Sequence, residues 1–218
     1  MKYNMSVNLL GVFGDDLMVV NAARVSFHKV SHKLTEQDER LIRYLAKNNH
    51  ISPFFHPQVQ FRLKMPIFVA REWFRHQIGF ARNEVSRRYV DETPECFTPD
   101  VLRQRDPKLK QGSRENAIEN SDLCGTLIDE HNKASIELYH NLMNEGVCPE
   151  QARIVLPQGM YTEFIETGSL AAYARLCKLR LDPHAQREIQ EYARQISEIL
   201  REKFPVSWNA LTGEVHQC

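Results

Sequence analysis

Apolar positions recur with two different periods along this chain, and the switches between them lay out its elements. Tyr3 to Phe13 alternates as a strand does, with Gly11 and Gly14 punctuating its end. Asp15 then stands where a helix cap belongs, ahead of Leu17, Val20, Ala23 and Val25. Thr35 to Asn48 reads as a second helix: Thr35 precedes Asp38 by three residues, a weak capping box, and Leu41, Tyr44 and Leu45 form its buried stripe. Gln58 to Lys64 alternates again, and Pro66 sits where a helix through Arg75 would begin. Pro99 to Asn120 is polar and aperiodic, a long surface loop or variable insertion. Asp122 to Glu145 is the strongest helix, with Leu123, Leu127, Ala134, Leu138 and Leu142 on one face and Gly146 as its stop. Pro149 opens a short helix that Pro157 ends, and Tyr161 to Glu166 fits a strand. Ser169 to Leu179 and Ala185 to Lys203 read as two further helices.

Helices outnumber strands and do not alternate with them regularly. The pattern therefore predicts an α+β fold, a helix-rich single domain over residues 1–218 with a mainly antiparallel sheet and a variable loop at 99–120.

Composition narrows the partners. Lys plus Arg and Asp plus Glu each total 28 in 218 residues, so no global charge draws the chain to nucleic acid or a membrane, and any anion must be held by a local cluster. The five cysteines, Cys96, Cys124, Cys148, Cys177 and Cys218, are scattered with no C-x-x-C pair, which suits neither a disulfide framework nor a zinc site. The stretch MKYNMSVNLL is too short and polar for a signal peptide, no apolar run reaches membrane-spanning length, and a cytoplasmic location is expected. His28 and His32, and His50, His56 and His76, lack the paired carboxylates or thiols of a metal site, so no metal is expected.

The most unusual segment is Arg71 to Tyr89. It carries Arg71, Arg75, Arg82, Arg87 and Arg88 against two acids, Glu72 and Glu84. Guanidinium forks match phosphate oxygens in pairs. Trp73, Phe74, Phe80 and Tyr89 either offer flat faces to a planar ring or fill the core, and by composition alone a solvated basic face beside a buried aromatic helix is the plainer account. On a helix from Pro66, Arg71 and Arg75 share a face. Gly79 frees the backbone for a tight loop, and amides near Asn83 to Ser86 are candidates to hold an anion.

This segment resembles the signature of flavin-dependent thymidylate synthases: Arg-His-Arg, seven residues, Ser, then Arg-Tyr. Here it reads Arg75-His76-Gln77, eight residues, Ser86, then Arg88-Tyr89. Gln replaces the third basic residue and the loop is one residue longer. The blocks His50 to Phe54, Pro66 to Arg71, Ala152 to Pro157 and Leu179 to Gln186 resemble the same family in the same order, so the likeness runs from about Ala22 to Phe204 with 99–120 unmatched.

The resemblance implies reductive methylation of dUMP to dTMP, with methylenetetrahydrofolate as carbon donor, FAD as cofactor and NADPH as reductant, in a homotetramer with sites at subunit interfaces. It implies dUMP contacts from Glu72, Trp73, Phe74, Arg75, Glu84, Val85, Ser86, Arg87, Arg88, Arg153 and Arg180. FAD contacts are implied from Ser52, Arg75, His76, Gln77, Glu84, Ser169, Ala171 and Arg175. Arg180 takes the catalytic role, facing N3 of the uracil, where a fixed positive charge favours loss of the proton and enriches the ring in electrons. Without the family, Arg180 is a cation completing a helix C-terminus and Arg153 an ion-pair partner in an apolar helix. Ser86 lies near His76 and Glu84 in sequence, which shows neither a base in reach nor an oxyanion hole, so it is read as a ligand and not a nucleophile. The competing class is a non-enzymatic RNA- or nucleotide-binding module built on Arg82, Arg87, Arg88 and Tyr89; it leaves Arg153 and Arg180 to be explained separately.

Overall fold

In the computed structural model, which describes residues 5–90, 92–108 and 112–213, side-chain caps set the first two helix starts. Asp15 accepts from the Met18 amide at 2.9 Å and opens α1 (Asp16–Arg24). Thr35 and Asp38 form a full capping box at α2 (Glu36–Lys47). Asp38 is buried and also accepts from Arg24 and Ser31. Burial opposes its ionisation, but hydrogen bonds from Thr35, Arg24 and Ser31 outweigh that and hold the carboxyl below its ordinary range. The α2 stripe differs from the expected one: Ile42 and Leu45 are buried, Leu41 is half-buried, and Tyr44 is exposed, edge-on to His50. Asp38, Ile42 and Leu45 share a face at helical spacing, so burying the capping carboxylate turns Tyr44 outward.

The remaining elements are β1 (Ser6–Phe13), β2 (Gln58–Pro66), α3 (Ile67–Trp73), β3 (Phe80–Glu84), α4 (Ser121–Asn144), α5 (Pro149–Ala152), β4 (Tyr161–Ser169), α6 (Leu170–Arg180), α7 (Arg187–Lys203) and α8 (Pro205–Thr212). The strands form one sheet in the order β1-β2-β4-β3. Gln60 bonds to Thr167 while the Ile67 amide reaches the Met160 carbonyl, so β2 and β4 run antiparallel. The fold is helix-rich α+β with an antiparallel sheet, as the periodicity predicts. Tyr3 and Cys218 lie outside the described residues.

Three elements depart from expectation. β3 is a strand where an irregular anion-binding loop was expected, and α8 was not anticipated at all. The face of α4 is reversed: Asn132, Ser135 and Tyr139 are buried, while Leu123, Leu127 and Leu138 are 60%, 55% and 46% exposed. Between Pro99 and Asn120 the described residues form no helix or strand, but the isolated bridge Arg103–Ala117 is flanked by backbone hydrogen bonds from Gln104 to Asn116 and from Ile118 to Leu102.

The described residues gather into two compact units, with the division in sequence falling inside β1, β2, β3 and β4. One unit holds those of Met1–Ser6, Leu63–Arg75 and Asn83–Phe164. In it α4 packs on α5 and the turn Arg153–Val155. The other holds those of Val7–Arg62, His76–Arg82 and Ile165–Cys218. Here α1, α2, α6, α7 and α8 bury Ile42, Leu176, Tyr192, Phe204 and Trp208. The buried Asp16 carboxylate accepts from the Val206 and Ser207 amides at 2.9 and 2.8 Å, capping α8 from the far end of the sequence.

Candidate functional site

In the first unit, α3 ends at Trp73, and Phe74 is its cap. Arg75 therefore lies past the helix, exposed, with its amide bonded to the Glu72 carbonyl, and does not continue a helical face with Arg71. Trp73 is fully buried and Phe74 meets Phe164 edge-on at 4.8 Å, so both rings pack. Of the amides expected to hold an anion, that of Val85 is otherwise engaged: it donates to the Glu163 carbonyl at 2.8 Å, because sheet pairing reaches past Glu84. Glu84 itself is exposed and accepts from the Thr162 hydroxyl.

Beyond β3 the chain turns, and its side chains bond among themselves. The Ser86 hydroxyl accepts from Nε of Arg88 at 3.2 Å and so faces a guanidinium instead of a general base. Arg87 donates to the Glu92 carbonyl at 2.6 Å, while its Nε is buried with no hydrogen-bond partner among the described residues. Arg88 lies over the Tyr89 ring at 5.1 Å and 3.5 Å from the Glu150 carboxylate. Arg153, exposed, donates to the Glu150 carbonyl at 3.3 Å. The structure thus brings Arg88 and Arg153 to one residue, Glu150, which sequence reasoning passed over. Its signal was an acid three positions before Arg153 in a proline-opened turn.

In the second unit, His76 is the common neighbour of three arginines. Nε of Arg180 donates to His76 Nε2 at 2.9 Å. Burial, and then the charges of Arg180, Arg82 and Arg175, depress the imidazole from 6.5 to about 4, so it is neutral near pH 7. Arg175 is exposed and donates to the Ile78 carbonyl. Arg82 pairs with Glu166, which has no solvent exposure, and lies over the Phe80 ring at 4.8 Å. Tyr173 packs edge-on to Phe80 and Phe61, and burial followed by the Glu166 charge raises its hydroxyl well above the ordinary range. Glu166 was also missed. An acid on the inward-facing alternate positions of β4, with Thr162, Phe164 and Gly168, signals a buried pair.

Gly79 turns the chain toward β3 with φ of 84°. A Cβ there would lie 2.9 Å from Ala172 Cβ and 3.1 Å from Ser169 Oγ. Ser169 is buried; its hydroxyl caps α6 by accepting from Ala172, and its amide donates to the Gly79 carbonyl. Ala171 is buried as well, whereas Ser52 and Gln77 are exposed. Among the described residues no group of His, Cys, Asp or Glu could hold a metal, and burial raises the thiols of Cys177 and of Cys96, the latter to about 11.

A family model described as thymidylate synthase complementing protein matches residues 8–206. The chain is 41% identical to a flavin-dependent thymidylate synthase of Thermosipho melanesiensis over 200 residues, 91% of this chain and 86% of that protein. It is 42% identical to one of Thermotoga neapolitana over 204 residues, 94% of this chain and 89% of that protein. Among solved structures, the UMP/dUMP methylase PolB from Streptomyces cacaoi, bound with 5-Br dUMP, matches with a TM-score of 0.87 at 30% identity, covering 96% of this chain and 95% of that one.

Proposed function

We propose, from the premise that the chain belongs to the thymidylate synthase complementing protein family, that it methylates dUMP to dTMP. FAD is its cofactor, methylenetetrahydrofolate the carbon donor and NADPH the reductant. In sum, dUMP, methylenetetrahydrofolate, NADPH and a proton give dTMP, tetrahydrofolate and NADP+. The observation that carries this reading is the convergence of Arg82, Arg175 and Arg180 on one neutral histidine, in a chain with no net charge. Such a local cluster is what binding and polarising an anionic nucleotide requires.

Arg180 faces N3 of the uracil. Its positive charge stabilises the ring deprotonated at N3, and the electron pair left by that proton raises the electron density at C5, where the new methyl group forms. Arg88 and Arg153 hold the nucleotide, exchanging Glu150 for its phosphate, with Ser86 and Arg87 alongside. Glu72, Trp73, Phe74, Arg75, Glu84 and Val85 complete the nucleotide contacts, those of Trp73 and Phe74 through backbone or by supporting neighbours. Groups from adjacent protomers of a homotetramer share each site, and the exposed leucines of α4 are the surface offered for assembly.

The side chains fit a flavin dinucleotide. Arg175 is an exposed cation suited to a pyrophosphate, and Ser52, Gln77 and His76 are polar and reachable. Arg75 and Glu84 lie exposed for the same ligand. Ser169 and Ala171 contribute by shaping the start of α6. A flavin held there would supply the redox chemistry, relaying a hydride equivalent from NADPH to the one-carbon unit. No helix among the described residues is long and apolar enough to cross a membrane, and the proposed location is the cytoplasm.

The deciding experiment uses dUMP labelled with tritium at C5. Release of label that requires FAD, methylenetetrahydrofolate and NADPH together supports the reading. A colourless protein that cannot be reconstituted with FAD and releases no label rejects it.

A further inference from the structure

Between Leu170 and Cys177 every position of α6 is buried except Arg175, which is exposed. Ser169, which caps the helix, Ala172 and Arg175 follow one another at spacings of three, so they lie along one side of α6. The turn from Gln77 to Phe80 rests on that side at three points. The Ser169 amide donates to the Gly79 carbonyl at 3.1 Å. Gly79 sits against Ala172, where a Cβ would come within 2.9 Å of the alanine methyl. The Arg175 guanidinium donates to the Ile78 carbonyl. The Phe80 amide closes the turn on the Gln77 carbonyl at 3.1 Å, with Gly79 in the third position at φ of 84°, the sign a type II turn requires there.

These contacts bring a cation to the place where the sequence departs from the signature it resembles. The signature has a basic residue at the position of Gln77, which is uncharged. The Arg175 guanidinium is bonded to the carbonyl of the very next residue. We propose that Arg175 supplies, from α6, the positive charge absent at position 77, and presents it to the diphosphate of the flavin dinucleotide. This rests on the reading that FAD lies against this turn. A phosphate oxygen responds to where a charge sits, not to which segment of chain carries it. An arginine at 77 and an arginine reaching over from α6 are therefore equivalent in kind, provided that the two guanidinium groups end near the same point. The bond to Ile78 holds that of Arg175 one residue from Gln77. Its acceptor is a neutral carbonyl, so this bond orients the guanidinium without setting a negative charge against it. The charge is felt on the other side of Gln77 as well. Burial first, then the charges of Arg180, Arg82 and Arg175, depress the His76 imidazole. An arginine already bonded to the turn also has less side-chain freedom left to lose when a ligand arrives.

The test measures FAD dissociation constants of the full-length protein by flavin fluorescence at low and high salt. It compares wild type, Arg175→Gln, Gln77→Arg and the two substitutions combined, with circular dichroism as the check on folding. Arg175→Gln is expected to weaken FAD binding by about tenfold to hundredfold, the range of one charge-assisted hydrogen bond. It should also flatten the salt dependence, which a merely structural role would leave alone. Adding Gln77→Arg to Arg175→Gln should restore that salt dependence and bring the affinity back to within about threefold of wild type. Gln77→Arg by itself should change wild type by less than about threefold, since the charge is already in place. Arg175→Gln binding FAD as tightly as wild type overturns the inference. So does a loss that Gln77→Arg leaves uncorrected, because Arg175 is then a clasp for the turn and nothing more. A gain of about tenfold from Gln77→Arg alone overturns it too, as the charge would still be missing there, and this arm needs no change at Arg175. Wild type that takes up no FAD overturns the flavin reading and this inference with it, whereas failure of the exchange alone leaves that reading standing.

Discussion

His76 holds its proton so weakly in the folded chain that it links stability to pH. An unfolded histidine titrates near 6.5 and the folded one near 4. Above pH 6.5 both states are neutral and folding bears no penalty. As pH falls from 6.5 toward 4, the unfolded chain takes up a proton that the folded chain refuses, and stability declines. Urea midpoints of wild type and His76→Gln should therefore diverge in their pH dependence across that window, with the variant lacking this part of the fall. A constant difference from pH 7 to 4 would contradict the assignment. Close packing makes a second expectation. A Cβ on Gly168 would lie 2.5 Å from two Phe80 carbons and 2.9 Å from Tyr173. Gly168→Ala should then cost about 1–3 kcal/mol in chemical denaturation. At this scale the sequence was legible where chemistry is local. The arginine-rich signature stood out by composition, whereas Glu150 and Glu166 did not, because an isolated acid reveals its partner only once the chain has folded.

Elements were legible in proportion to how strongly they mark their own ends. Thr35 and Asp38 announced α2, and Thr35→Ala should cost about 1 kcal/mol in thermal or urea melts. The start of α8 is capped instead by Asp16, 190 positions from Val206. No local pattern betrays such a cap, although Pro205 at the first turn and Gly213 with φ of 78° were usable signals. Asp16→Ala leaves two helix-terminal amides without their acceptor and should cost about 2 kcal/mol, more than the Thr35 substitution, in the same melts. β3 escaped notice because FARNE carries only one large apolar residue and is largely exposed, so no two-residue alternation of hydrophobics could appear. For α4 the periodicity found a true apolar face and assigned it to the wrong side. Within the chain, Tyr139 packs inward with Asn132, which donates to Thr98 at 3.5 Å, and the leucines are left at the surface.

For the whole molecule, those exposed leucines bear on assembly. A homotetramer should elute at four times the chain mass under light scattering, and Leu127→Glu on α4 should shift that toward smaller species. An unchanged tetramer would exclude α4 from the interface. With no net charge on the chain, capture of an anionic nucleotide in the proposed reaction would fall to a few placed guanidinium groups. The antiparallel, helix-rich class followed from periodicity alone, because it depends only on which elements exist. The grouping of residues into two units was not legible, since each unit is assembled from three separated stretches.

The pairing of Arg82 with Glu166 constrains how such a chain can diverge. A fully buried carboxylate deprived of its guanidinium costs about 3–5 kcal/mol, a large share of what holds an ordinary domain together. Two codons 84 positions apart are thereby coupled. A lineage that drops Arg82 first passes through a crippled intermediate, while one that first exchanges Glu166 for glutamine has an easier path. Descendants should retain both charges or neither, and that covariation can be counted in any broad set of sequences.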